Sequence, residues 1–226
     1  MGTRVGADGN KAYLQLAGRS MMSWSVDSVV CSAGVARTVV VFRRGERDLA
    51  ERTLSSELPS ATIELVEGGD TRHGSEHNVL RHLAADIESG AIDVVLIHDA
   101  ARPLAGPDMM DTALATARSF GGAIPVLPTL NVVKAADDGS ISTVDGNLVR
   151  VQTPQAFRAQ PLLTAYTMAA GGSFDATDTS ACVQRFTDVD VRVFPGSSTN
   201  LKVTFAHDVL IAERLLRERI SGDGRR

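Results

Sequence analysis

Cysteine is scarce in this chain of 226 residues, which contains only Cys31 and Cys182. The two thiols are far apart in the sequence, and neither has a second cysteine or a histidine at a metal-ligand spacing. This scarcity argues against a disulfide framework and against a zinc site. We therefore expect a protein of the reducing cytoplasm whose thiols are buried.

Long apolar runs and a one-sided charge are also missing. No stretch approaches the roughly 18 apolar residues that a membrane span requires, and no signal peptide is visible. The net charge is −4, from 23 basic and 27 acidic residues, so nothing favours a nucleic acid or a membrane surface as partner. Because 43% of the residues are hydrophobic, a real core can form, and we expect a soluble intracellular protein.

Apolar runs of strand length alternate with segments of helical period along the chain. The predicted strands are Thr38–Phe42, Ala61–Val66, Ile92–His98, Gly122–Leu127, Val189–Phe194 and Leu201–Thr204. The predicted helices are Ser20–Cys31, Glu46–Glu57, Ser75–Ser89, Pro107–Ser119, Ala159–Ala170, Thr177–Phe186 and Ala206–Ile220. Such alternation predicts an α/β fold with a mainly parallel sheet and helices on both faces, and the length allows one large domain or two small ones.

One segment, residues 130–152, interrupts this alternation. It contains two short strand-like runs around the turn sequence DDGS, which predicts a β-hairpin. A hairpin that projects from an α/β body commonly serves as a dimer arm, and a surface flap is the alternative reading of the same residues.

The sequence HDAARP places two charged side chains where the predicted strand Ile92–His98 ends. Ligands bind outside the carboxyl ends of strands in open parallel α/β sheets. Asp99 could hold Mg²⁺ there, and Arg102 could bind a phosphate with its planar fork. The alternative is an aspartate that caps a helix and pairs with the arginine.

The first eleven residues resemble a phosphate-binding loop. Glycines, among them Gly2, allow backbone N–H groups to approach phosphate oxygens, and Arg4 and Lys11 could neutralise them. The GxxxxGK[ST] pattern is absent, so this is not a Walker A loop. A disordered tail is the alternative interpretation.

Four further stretches carry candidate binding residues. In GGDTRHGS, Gly69, Asp70 and Ser75 form a loop into a helix start that suits a base or a phosphate, whereas His73 and His77 do not form the HExxH metal pattern. Thr153 lies in the VQTPQAF turn, Thr177 at a predicted helix N-terminus in FDATDTS, and Lys202 on a predicted strand in STNLKVT. A plain loop, a helix cap and a solvent-exposed lysine are the respective alternatives.

The order of these signals is more specific than any one of them. GTR with Lys11, GGDTRHGS, HDAARP, QTPQAF, TDTS and NLKVT, in this succession, resemble the cytidylyltransferase family, in particular its branch that acts on methylerythritol phosphate. The resemblance extends from Gly2 to about Leu216. It implies a single Rossmann-like nucleotidyltransferase domain over residues 1–226 that binds CTP and Mg²⁺, and a homodimer in which the β-arm of each subunit clasps the other.

The resemblance also implies roles for the candidate residues. Arg4, Lys11 and Lys202 would act as catalytic cations on the triphosphate, and Asp99 would hold the metal. Arg102 and Thr177 would face the phosphate of a sugar alcohol, with Thr153 supporting that side. The ribose and cytosine would lie around Gly69, Asp70 and Ser75, and Gly2 would contact the phosphates.

The sequence departs from the family pattern in two regions. The family begins with an apolar strand and the turn PAAGxGxR, of which only the end matches here, so we expect that translation starts upstream of Met1. In the arm, Val132 replaces a threonine and Gly146 an arginine, although Arg150 could supply the missing charge. These changes leave two alternatives to methylerythritol phosphate transfer: another acceptor such as ribitol 5-phosphate, or a non-catalytic nucleotide-binding paralogue.

Overall fold

The computed structural model describes residues 10–170 and 179–223, which form a mixed α/β fold. A 3-10 turn, Lys11–Tyr13, comes first and is followed by two short antiparallel strands, β1 (Gln15–Leu16) and β2 (Arg19–Ser20). Helix α1 (Met21–Val30) is capped by Ser20, whose hydroxyl accepts a hydrogen bond from the N–H of Ser23. This contact satisfies one of the free donors of the first turn.

The remaining elements confirm the predicted alternation of strands and helices. The strands are β3 (Val39–Phe42), β4 (Glu64–Glu67), β5 (Val94–Ile97), β6 (Gly121–Pro128), β7 (Val133–Ala135), β8 (Ile141–Thr143), β9 (Val149–Val151), β10 (Gln155–Arg158) and β11 (Asp190–Pro195). The helices are α2 (Arg47–Glu57), α3 (Arg72–His82), α4 (Ala84–Glu88), α5 (Pro107–Phe120), α6 (Ala159–Ala170), α7 (Thr179–Phe186) and α8 (Ala206–Asp223). None of these described helices is long and apolar enough to cross a membrane.

The main sheet has the strand order β11-β6-β10-β5 and is mixed rather than mainly parallel. Strand β11 runs parallel to β6, whereas β10 runs antiparallel to both β5 and β6. We predicted only a turn where β10 forms. The strand is four residues long and leads directly into α6, so it is too short to show a period of its own.

Helices cover both faces of this sheet, as predicted. Ala123 and Ala156 lie opposite each other in the register and pack against α5, whose Ala113 and Ala117 allow a close approach. Phe157, the next residue along β10, points to the other face and packs among the apolar side chains of α3, α4, α6 and α7. Because successive side chains of a strand point to opposite faces, β10 contributes side chains to two separate cores.

Strands β3 and β4 form a parallel pair that is separate from the main sheet. Among the described residues, no backbone ladder joins β3 to β5. A cavity of about 750 Å³ lies between the two strands and is lined by side chains of both, including Val40 and Leu96. It reaches Arg72 and Asp99, beyond the carboxyl end of β5.

One predicted element was wrong, and one predicted helix has different bounds. Residues 201–204 do not form a strand, because the N–H of Val203 donates to the carbonyl of Ala101 at 2.8 Å and fixes the segment to the loop after β5. The helix predicted from Ser75 begins at Arg72 instead, since the hydroxyl of Thr71 accepts a hydrogen bond from the N–H of Gly74 and caps it. It is divided at Leu83 into α3 and α4.

The projecting hairpin is confirmed. Strands β7 and β8 pair antiparallel, and Asp138 accepts a hydrogen bond from the N–H of Ser140 at the tip, beside Gly139 with a φ of +83°. Strand β9 then returns to pair with the end of β6. All three arm strands are exposed along their whole length, so the arm has no covering within the described part of its own subunit.

Candidate functional site

Asp99 lies at the centre of a cluster of cations beyond the end of β5. Its Oδ2 atom is 2.8 Å from the Nζ atom of Lys202 and 3.9 Å from the Nε atom of Arg102, and its Oδ1 atom is 3.6 Å from an Nη atom of Arg72. The Asp99 side chain is only 18% exposed. One largely buried carboxylate therefore faces three positive groups.

The charges of this cluster determine the protonation state of Asp99. Burial pushes the pKa of Asp99 upward, but the hydrogen bond and charge of Lys202, together with Arg72 and Arg102, hold it below its ordinary value. The carboxylate is therefore ionised at neutral pH. Because three cations face one anion, the cluster carries excess positive charge and favours an anionic ligand.

Lys11 joins the same region from the start of the described chain. Its Nζ atom donates to the carbonyl oxygen of Val203 at 3.0 Å, directly beside Lys202 in the sequence. The structure thus brings Lys11 and Lys202 together from the two ends of the chain, and Lys202 in turn contacts Asp99. The three residues therefore share one neighbourhood, and their roles toward a ligand stay a prediction.

Thr153 and His98 hold the backbone of Asp99 in place through hydrogen bonds. The hydroxyl of Thr153 accepts a hydrogen bond from the N–H of Asp99 at 3.0 Å and lies 3.1 Å from Nδ1 of His98. Burial lowers the pKa of His98 to about 4, so its ring is neutral. With Nε2 donating to the carbonyl of Arg102, Nδ1 accepts the Thr153 proton. Thr153 is buried and commits its hydroxyl to this chain of hydrogen bonds.

Two buried amides join the QTPQ turn to the segment that carries Lys202. Nε2 of Gln152 donates to the carbonyls of Ser197 and Asn200, and Nδ2 of Asn200 donates to the carbonyl of Thr153 at 2.9 Å. Both amides lie within the sequence motifs, but their pattern assigned them no role. Each of the two motifs contains an amide side chain, but the sequence does not show that these two side chains lie close together in the fold.

Arg102 also belongs to this support. Its Nη1 atom donates to the carbonyl of Asn200 at 2.8 Å, and its side chain is 11% exposed. This bond uses one of the five N–H donors of the guanidinium. As placed, Arg102 fixes the Asn200 backbone and adds positive charge behind Asp99.

The loop before α3 lies beside the cavity. The N–H of Gly69 donates to the hydroxyl of Ser75 at 3.1 Å. A Cβ atom on Gly69 would stand 2.9 Å from the backbone of Gly74, so only glycine fits this turn. Ser75 lines the same cavity as Asp99, whereas Asp70 is exposed in the loop. Three further candidates, Gly2, Arg4 and Thr177, lie outside the described residues.

The residues around Asp99 fit a metal only in company with a polyphosphate. No three histidine, cysteine, aspartate or glutamate side chains in residues 10–170 and 179–223 are grouped so as to hold an ion. Mg²⁺ is often bound by one or two carboxylates together with substrate phosphates, and Asp99 supplies one such ligand. Lys202, which is 45% exposed, has room to turn from Asp99 to a phosphate oxygen.

Comparison with known proteins identifies the family. The family model for 2-C-methyl-D-erythritol 4-phosphate cytidylyltransferase (IspD) matches residues 1–218. The protein of that name from Cereibacter sphaeroides is 37% identical over 217 residues, which cover 95% of this chain and 92% of that protein. The one from Thermosynechococcus vestitus is 31% identical over 222 residues, covering 97% of this chain and 92% of that protein.

Solved structures show the same fold. The 4-diphosphocytidyl-2C-methyl-D-erythritol synthase of Anaerococcus prevotii superposes with a TM-score of 0.81 at 24% identity, over 94% of this chain and 92% of that one. The 2-C-methyl-D-erythritol 4-phosphate cytidylyltransferase of Thermus thermophilus gives 0.70 at 27% identity, over 92% and 94%. This chain belongs to the 2-C-methyl-D-erythritol 4-phosphate cytidylyltransferase family.

Proposed function

We propose that this protein transfers the cytidylyl group of CTP to 2-C-methyl-D-erythritol 4-phosphate and releases pyrophosphate, a step of isoprenoid precursor synthesis. Membership of the family supports this activity. The structural observation that carries it is the contact of Lys202 with Asp99, beside Lys11, at the end of an open cavity. The cluster has the charge to hold a triphosphate and the room to admit a nucleoside.

The reaction requires little acid–base chemistry from the protein. A phosphate oxygen of the acceptor attacks the α-phosphorus of CTP and forms a new P–O bond. The bond from the α-phosphorus to the bridging oxygen breaks, and pyrophosphate leaves with the electron pair. Because the second pKa of a phosphate monoester is about 6, the nucleophile is mostly ionised at neutral pH. Catalysis then rests on positioning and on charge stabilisation.

The cations provide that stabilisation. Lys11 and Lys202, with Arg4, would neutralise the triphosphate and the charge that develops on the leaving pyrophosphate. Asp99 would hold the divalent metal, which we propose to be Mg²⁺; when bound, it would neutralise phosphate oxygens as a Lewis acid. His98 and Thr153 keep the Asp99 backbone in place during the reaction.

The substrates would bind on either side of this cluster. We assign Gly2 to the phosphates, and Gly69, Asp70 and Ser75 to the nucleoside, because Ser75 lines the cavity that reaches Asp99. Thr177 would bind the phosphate of the acceptor. Arg102 and Thr153 are buried, so we propose that they serve this half of the site through Asp99 and Asn200.

The arm supports a homodimer. Its residues include two large apolar side chains with little covering, Leu130 at 82% and Ile141 at 70% exposure. A second copy of this chain would cover them if each arm lay against the other subunit. Burial of such side chains contributes about 1.5–3 kcal/mol each, which favours association.

A second acceptor is favoured by two positions in the arm. Val132 has no hydroxyl, and Gly146 has no charge, where the family pattern has a threonine and an arginine. Loss of a charge-assisted phosphate contact weakens binding by about 10- to 150-fold, which could shift preference to another alditol phosphate such as ribitol 5-phosphate.

A pyrophosphate-release assay separates these possibilities. The protein is mixed with CTP, Mg²⁺ and either methylerythritol phosphate or ribitol 5-phosphate. Release of pyrophosphate with methylerythritol phosphate supports the proposal. Release with ribitol 5-phosphate alone would show that ribitol 5-phosphate is the acceptor. No release with either would indicate a non-catalytic paralogue.

A further inference from the structure

Glu76 is a largely buried carboxylate that the proposed reaction does not use. It lies on α3, one turn after Arg72, and its side chain is only 12% exposed. A carboxylate removed from water in this way is tolerated only when hydrogen bonds and an opposite charge compensate for the lost hydration. The partners of Glu76 show what that compensation is.

The partners come from three helices. The Oε2 atom of Glu76 accepts hydrogen bonds from the hydroxyl of Tyr166, on α6, and from that of Thr179, the first residue of α7, at 2.9 Å from the latter. The Oε1 atom accepts from Nε of Arg72 at 2.8 Å. Burial and the Glu76 charge raise the pKa of Tyr166, so its phenol stays a donor.

The Arg72 guanidinium faces two carboxylates. Its Nε edge is bound to Glu76, and an Nη atom lies 3.6 Å from Oδ1 of Asp99. The planar group is therefore oriented from one side, with its Nη edge toward the candidate metal ligand. The Arg72 side chain is 40% exposed, so without Glu76 it could sample other rotamers in solvent.

We propose that Glu76 is a positioning residue for the nucleotide: it holds Arg72 at Asp99, so that this guanidinium remains in the site to meet the triphosphate. When a metal and a polyphosphate occupy Asp99, Arg72 loses that carboxylate as a partner but keeps Glu76. The second carboxylate thus prevents the cation from leaving when its first partner is taken. The inference rests on the proposed function for the identity of the ligand.

The test compares variants that break different contacts of the same carboxylate. Glu76→Gln keeps the size of the side chain and an acceptor for Tyr166 and Thr179, but it loses the charge that binds Arg72. We expect the KM for CTP to rise about five- to thirty-fold, with the KM for the acceptor changed by less than about two-fold. The control variants Tyr166→Phe and Thr179→Val remove the other two contacts and leave the KM for CTP within about two-fold.

A double variant decides whether Glu76 acts through Arg72. If it does, Arg72→Gln and Arg72→Gln/Glu76→Gln raise the KM for CTP equally, because the second change removes nothing further. Additive effects of the two changes would overturn the proposal. So would a Glu76→Gln variant that lowers the melting temperature but binds CTP normally.

Binding without turnover separates this inference from the proposed function. Calorimetric titration with CTP and Mg²⁺ measures the nucleotide affinity whether or not any acceptor reacts. If no acceptor reacts but Glu76→Gln weakens CTP binding about five- to thirty-fold, the inference stands and the proposed reaction fails. Unchanged CTP binding, or no binding by the unaltered protein, would overturn the inference.

Discussion

The Nζ atom of Lys202 lies 2.8 Å from the Oδ2 atom of Asp99, across a sequence separation of 103 residues. The Asp99 side chain is largely buried, while that of Lys202 is 45% exposed. The lysine side chain can therefore turn toward solvent while the aspartate stays in place. A ligand that brings a phosphate to Lys202 and a metal ion to Asp99 would therefore replace the Lys202–Asp99 pair with two pairs of opposite charges.

Asp99→Asn should remove turnover and preserve the fold. We expect kcat to fall by about 100-fold or more, since the metal loses its carboxylate ligand. The backbone N–H that bonds Thr153 is unchanged, and Lys202 can turn toward solvent. Arg72 keeps Glu76 and Arg102 keeps the carbonyl of Asn200, so the melting temperature should fall by only a few degrees. Steady-state assays and thermal melts followed by circular dichroism measure the two effects.

The matched control for that variant is Asp93→Asn. Asp93 also forms an ion pair, with Arg118 at 2.6 Å, but its side chain is 60% exposed. It should keep nearly full turnover. If Asp99→Asn were as active as this control, Asp99 would have no role as metal ligand.

Acid should destabilise the protein through His98. Its pKa falls from 6.5 to about 4 on folding because it is buried, so the unfolded chain binds the proton more readily. The stability it contributes is complete above about pH 6.5 and is lost as the pH falls toward 4, a difference of about 3 kcal/mol. Denaturant titrations between pH 7.5 and 4.5 give this free energy.

His98→Asn provides the comparison. Asparagine does not titrate, and its amide oxygen can still accept the Thr153 proton. This variant should be less stable at neutral pH but should lose less stability between pH 6.5 and 4.5.

Glu64 does not interfere with this comparison. The hydrogen bond of Arg37 lowers the pKa of Glu64 to about 2, so the stability that Glu64 contributes is lost only below about pH 4.5. Equal slopes for both proteins would exclude His98 as the source.

Asn200→Ala should destabilise the protein more than a change at its surface neighbour. Asn200 is fully buried, and its loss leaves the carbonyl of Thr153 without that donor. We expect a loss of about 2 kcal/mol in the free energy of unfolding. Thr199→Ala, at the exposed position that precedes it, should cost less than about 0.5 kcal/mol. Guanidinium unfolding curves measure these free energies, and equal values for the two variants would contradict the role assigned to Asn200.

Ile141→Asp should dissociate the proposed dimer. A charge at this 70% exposed position would be harmless in a monomer but would have to be buried if a second subunit covered the arm. Light scattering after size exclusion should show a shift from dimer toward monomer, with an unchanged circular dichroism spectrum. The control, Ser140→Asp, lies outside β8 at the tip of the hairpin. A monomeric unaltered protein would contradict the prediction.

The amino-acid pattern was sufficient for most elements, and it named two side chains that meet in the structure. Periodicity located β3, β5 and α5, and the motifs singled out Lys202 and Asp99, which are in contact. What it could not supply were contacts that depend on tertiary packing. Strand β10 has four residues and no period, and Glu76 meets Tyr166 and Thr179 across sequence separations of 90 and 103 residues. No local pattern carries such partners.

The separation of β3 from β5 has a consequence for local stability. Within the described residues, side chains join the β3–β4 pair to the helices that follow it: Arg37 binds Asp86 of α4, and Glu64 of β4 lies 2.8 Å from His82 of α3. The pair β3–β4 can therefore act as a separate cooperative unit, with amide protons that exchange sooner than those of β5 and β10. Because Arg72 and Ser75 follow β4 in the sequence, local opening of this unit would change the width of the cavity that they line.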